Sequence, residues 1–112
     1  MNTLYHNSRC SKSREALRLM QEAGLIFELR DYINRPPEPA ELEALCRHLG
    51  LSPFGLVREK DLVQDMTYPD PEDDAGWIQV LCTTPRLLER PIAGINDKWA
   101  IARPPERLLD LL

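Results

Sequence analysis

The segment Thr3-Leu4-Tyr5-His6-Asn7-Ser8-Arg9-Cys10-Ser11-Lys12-Ser13-Arg14-Glu15-Ala16 changes character twice within fourteen residues. Thr3 to His6 reads as a short first strand. Asn7 to Arg9 is polar and turn-forming. Ser11 to Ala23 reads as a helix, with Ala16, Leu19, Met20 and Ala23 recurring at helical spacing to give one apolar stripe. Cys10 therefore falls where a strand gives way to a helix N-terminus. Free backbone N–H groups and a partial positive charge meet there. A thiolate at that point is favoured over the thiol, so its pKa falls. Arg9, Lys12 and Arg14 add local positive charge that acts in the same direction. The same N–H groups can hold an oxyanion beside the sulfur.

Working outward, Gly24 stops the first helix, and Leu25 to Tyr32 reads as a second strand rich in Ile, Phe and Tyr. Asn34 to Pro39 holds three prolines and reads as a linker. Pro39 to Leu49 is a second helix with Leu42, Leu45, Cys46 and Leu49 on one side and Gly50 as its stop. A helical middle section follows, broken at Tyr68-Pro69-Asp70-Pro71. Asp73 to Cys82 opens with acids and reads as a further helix. Pro91 to Ile95 and Lys98 to Ala102 read as strands joined by a hairpin turn at Asn96-Asp97. Pro104 opens a last helix that Leu108, Leu109 and Leu112 can anchor. This order matches an α/β, thioredoxin-like plan: a four-stranded mixed sheet in one domain of residues 1–112, with a helical insertion at about 36–89.

Bulk properties narrow the chemistry. The 112 residues are 43% hydrophobic, enough for a packed core. A net charge of -4 excludes general capture of nucleic acid or anionic membrane, so any anion site must be built locally from a few arginines. No apolar run is long enough to span a bilayer, and MNTLYHNSRC has no signal-peptide pattern, so a cytoplasmic location is expected. Three cysteines without short spacing argue against a disulfide framework. Metal binding is not expected, because no CxxC or HxxxH is present. Ser13 stands where a dithiol motif has its second cysteine. Ala16 stands where a phosphatase-type loop has arginine, the nearest arginine being Arg14. What survives is a one-cysteine mechanism that borrows an external thiol. Cys46 and Cys82 lie in apolar surroundings and read as packing residues.

The run Tyr5 to Arg14 closely resembles the active-site turn of the glutaredoxin-coupled arsenate reductase family. Leu56-Val57-Arg58 looks like that family's middle arginine motif. Glu89-Arg90-Pro91-Ile92 and Ala102-Arg103-Pro104-Pro105-Glu106 look like its closing pair. The likeness covers nearly the whole chain, with Ser8 standing where many members have proline. It implies Cys10 as nucleophile, His6 helping to set its ionisation, and Ser13 supporting the thiolate by hydrogen bonding. It implies Arg58, Arg90 and Arg103 as oxyanion ligands and a cis proline at Arg90-Pro91; Arg14, close to Cys10 in the sequence, is expected to bind the oxyanion with them. It also implies no bound cofactor, glutathione as co-substrate and glutaredoxin as partner. The guanidinium fork suits this role, since it meets an oxyanion with two parallel hydrogen bonds. The competing expectations are a redox-responsive regulator or binding module of the same family, and a general glutathione-linked thiol-transferase.

Overall fold

A parallel pair of strands starts the sheet. In the computed structural model, which describes residues 1–112, β1 (Asn2–His6) lies beside β2 (Phe27–Asp31) with His6 opposite Asp31. The two strands are joined by α1 (Ser11–Glu22). A later hairpin of β3 (Ile92–Ile95) and β4 (Lys98–Ile101) adds antiparallel, giving the order β2-β1-β3-β4. This is the thioredoxin-like mixed sheet that the element order predicts. Asn96 and Asp97 take positive φ values of 54° and 65°, as a two-residue hairpin turn of the primed kind requires. At Gly94 a Cβ would sit 2.6 Å from the ring of Trp99, its cross-strand partner, so only glycine lets the indole lie across the strand.

The chain packs as two units: Met1–Asn34 together with Arg90–Leu112, and Arg35–Glu89. In the first, one sheet face packs against α1 and a final 3₁₀ helix, Pro105–Leu111, around Leu4, Ala16, Met20, Ala93, Ile95, Ala102, Leu108 and Leu111. The other face carries Tyr5 and Arg30, opposite one another in register, with the guanidinium 6.0 Å from the ring centre.

The second unit holds α2 (Pro39–Leu49) and α3 (Asp74–Thr83), with short 3₁₀ turns at Pro53–Leu56, Glu59–Asp61 and Pro85–Leu87. Gly50 closes α2 in the left-handed conformation (φ 67°), donating its N–H to the Cys46 carbonyl. Asp73 caps α3 by accepting from the Gly76 N–H at 2.9 Å. Trp77 is buried at the centre. Its ring meets Tyr68 and Phe54 at centroid distances of 5.7 and 5.1 Å, and its Nε1–H donates to the Asp70 carbonyl at 2.9 Å.

Several local expectations change. The closing segment is a 3₁₀ helix, not an α-helix. Three residues per turn put Pro105, Leu108 and Leu111 on the buried side and leave Leu109 and Leu112 exposed. Helix α1 ends one residue early, and Ala23 turns out to solvent as its cap. Strand β2 is shorter than Leu25 to Tyr32, because the Leu25 N–H closes the helix end on the Met20 carbonyl and Ile26 is exposed. Cys46 and Cys82 are half-buried and not fully in the core.

Candidate active site

Because β1 and β2 run parallel, their C-terminal ends lie at one edge of the sheet, a usual place for a site in α/β folds. β1 leads into Asn7-Ser8-Arg9 and then Cys10, which is the N-cap residue of α1 with extended backbone (φ -95°, ψ 122°). Asn7 organises this turn three ways. Its carbonyl accepts from the Cys10 N–H at 3.0 Å, its side-chain oxygen accepts from the Arg9 N–H at 3.0 Å, and its own N–H donates to Ser13 Oγ at 3.0 Å. Sequence reasoning does not single out Asn7 as a structural key. Its one signal is that an asparagine opens the polar turn.

The first turn of α1 has no acid to compete with an anion. Burial pushes the Cys10 thiol up, but four donors outweigh it and the net shift is downward. They are the Ser13 N–H, the Arg103 and Arg90 guanidiniums, and the Lys12 N–H. The sulfur stays partly exposed, as an attacking group must. Cys46 and Cys82 are shifted the other way. Burial raises both, and nearby carboxylates (Asp74 and Glu43 for Cys46, Glu38 and Glu41 for Cys82) add to it.

Arg90 and Arg103 come from the two ends of the β3–β4 hairpin and are joined directly. Arg103 Nη1 donates to the Arg90 carbonyl at 2.7 Å. Both arginines precede cis prolines, Pro91 and Pro104. Ala102 donates its N–H to the Pro91 carbonyl at 2.8 Å, tying the two segments side by side.

The remaining expected residues are placed differently. Ser13 is fully buried, and its hydroxyl accepts from Asn7. The backbone N–H of Ser13, not its hydroxyl, favours the Cys10 anion. Ser13→Ala is therefore expected to leave the Cys10 titration in place while stranding the Asn7 N–H. The cost is about 1–3 kcal/mol of stability, read by urea unfolding. A raised thiol pKa in that variant would return the hydroxyl to the sulfur. His6 is buried, and burial holds its pKa below the usual value, the Ser13 backbone and Asp31 partly opposing this. Burial thus favours its neutral form. Arg14 is engaged with the Ser8 carbonyl at 2.9 Å, bracing the turn. Arg58 belongs to the Arg35–Glu89 unit. Its N–H donates to the Leu87 carbonyl and its guanidinium lies 3.9 Å from the Asp61 carboxylate of the same unit.

No family model matches the chain. It is 40% identical to the uncharacterized protein YfgD of Escherichia coli, covering 97% of this chain and 94% of the relative. It is also 40% identical to a protein named arsenate reductase from Neisseria meningitidis, covering 94% of this chain and 92% of that one. The chain belongs to the arsenate reductase family. A solved structure described as a putative arsenate reductase from Yersinia pestis superposes with a TM-score of 0.83 at 33% identity, covering 98% of this chain and 99% of that one. Family membership accounts for the four-stranded mixed sheet. No helix of the chain is long and apolar enough to cross a membrane.

Proposed function

We propose that this chain is an arsenate reductase in which the Cys10 thiolate attacks the bound oxyanion and glutathione and glutaredoxin complete the cycle. The observation that carries the reading is the pair of guanidiniums, Arg103 and Arg90, brought beside a partly exposed thiol at the N-cap position of α1. A cation pair at a nucleophile serves an anionic electrophile. It offsets substrate charge and the charge that builds as the anion is attacked.

The first step forms a sulfur–arsenic bond and releases one arsenate oxygen as water. The glutathione sulfur then attacks the Cys10 sulfur. The sulfur–arsenic bond breaks with its electron pair going to arsenic, which falls from As(V) to As(III). Arsenite leaves carrying the thiol proton, and Cys10 remains as a mixed disulfide with glutathione. Glutaredoxin takes the glutathionyl group by thiol–disulfide exchange and frees Cys10. The absence of a second cysteine in the Cys10 turn fits reliance on an outside thiol. A polar recess of about 220 Å³, lined by Asn7, Ser8, Arg9, Asp31, Ile33 and Asn34, opens on the same turn. It presents both a cation and a carboxylate, as a zwitterionic peptide thiol requires.

The test is arsenate-dependent NADPH oxidation with glutathione, glutaredoxin and glutathione reductase supplied. Wild-type turnover is expected, and its absence overturns the reading. Arg103→Lys keeps the charge but loses the fork and the bond to the Arg90 carbonyl. It is expected to lower kcat/KM for arsenate by about tenfold or more. An unchanged KM in Arg103→Ala would remove the arginine from the anion site.

A further inference from the structure

Tyr32 is fully buried, and its hydroxyl meets no partner at hydrogen-bond geometry, the Asn7 side chain lying close enough only to favour its ionised form. Such groups are rare, because a buried polar atom left without a partner costs free energy. Tyr32 stands one residue beyond the end of β2, past the last pair of the parallel ladder, His6 with Asp31. That is the same sheet edge from which β1 delivers the Cys10 turn. Its ring packs on Tyr5, with centroids 6.4 Å apart, which fixes the phenol from behind. Its polar surroundings are those of the site: Arg90, Cys10, Asn7 and Asp31. Burial is the largest influence on it and, with the nearby Cys10, keeps the phenol protonated well beyond the usual range. It is therefore a permanent neutral donor. A second buried orphan, His6 Nδ1, ends the neighbouring strand.

From this placement we propose that Tyr32 is a further oxyanion ligand of the Cys10 site, its phenolic O–H donating to an oxygen of the bound anion alongside Arg90 and Arg103. The proposal rests on the function proposed above for the identity of the anion, but not for the existence of the donor. A neutral O–H complements two cations. It stabilises negative charge on one oxygen without adding a third cation to the pair. The bound anion then supplies the acceptor that the protein itself does not offer the phenol.

Tyr32→Phe removes only the hydroxyl and keeps the ring against Tyr5. Two measurements apply. In the Cys10→Ser chain, arsenate binding by titration calorimetry is expected to weaken about tenfold when Tyr32→Phe is added, a typical loss for one donor to a charged group. In the chain with Cys10 intact, the same change is expected to lower kcat/KM for arsenate at least as much. The thermal midpoint should hold or rise, because no hydrogen bond is lost and an unpaired buried hydroxyl is removed. A merely structural role would lower the midpoint and leave calorimetric affinity alone. Unchanged affinity in Tyr32→Phe overturns the proposal even if the wild type turns over arsenate. Tyr32-dependent binding without any turnover overturns the reductase reading and leaves the ligand assignment standing. Absence of arsenate binding to Cys10→Ser overturns both.

Discussion

Cys10→Ser is expected to abolish arsenate-dependent NADPH oxidation, a loss of at least about a thousandfold, because the hydroxyl is a far weaker nucleophile and no other group nearby can take its part. Neither of the remaining cysteines is a substitute. Cys46 and Cys82 lie in the second unit, where burial and carboxylates hold their thiols protonated. Alkylation by iodoacetamide checks the same assignment without any substrate. In the wild type one thiol should react with its rate levelling off below the ordinary thiol pH, and that phase should vanish in Cys10→Ser. The other two should react only as pH rises past the ordinary value. The sign follows from the donors at Cys10: the Ser13 and Lys12 N–H groups and the two guanidiniums favour the anion and win over burial. Retained turnover in Cys10→Ser, or three thiols titrating together, would sink the assignment.

Trp77→Ala is expected to be the most damaging packing change. The indole is buried between Tyr68 and Phe54 and its N–H is bonded to the Asp70 carbonyl. Its removal leaves a large void at the centre of the Arg35–Glu89 unit and takes away one of the two hydrogen bonds to that carbonyl, which keeps the Asp73 N–H at 2.9 Å. The expected cost is about 3–5 kcal/mol. For a chain of this size it should lower the Tm by more than about 10 °C in calorimetry. Trp77→Phe should recover much of the packing but not the hydrogen bond. A shift of less than about 1 kcal/mol for Trp77→Ala would mean that the ring cluster does not hold the unit together.

Much of the fold follows from local pattern. The polar break between Tyr5 and Ser11, the glycine stop after α2 and the Asn96-Asp97 turn each act over a few residues, so their effect can be read from neighbours in sequence. Edges are less legible. β2 ends where its last partner on β1 ends, and the closing segment adopts a three-residue period because Pro105, Leu108 and Leu111 are what the core accepts. The reactive thiol is likewise local: its position at a helix N-terminus is set by residues within a few places of it. Its electrostatic partners are not. Sequence proximity points to Arg9, Lys12 and Arg14 as the cations around Cys10. The structure gives that part to Arg103 and Arg90, turns Arg14 onto the Ser8 carbonyl and uses only the backbone of Lys12. Tyr32 passes as an ordinary strand residue, because nothing in its neighbours distinguishes a packed tyrosine from one whose hydroxyl is left without a partner. The sequence by itself thus determined that Cys10 is a thiol at a helix N-terminus with no local partner cysteine. The resemblance named Arg90 and Arg103, but that their guanidiniums reach the sulfur, and that Tyr32 is buried near it, was decided only by the tertiary structure. Coulombic and hydrogen-bond effects depend on distance in space, and the β3–β4 hairpin carries residues from far along the chain to the sulfur.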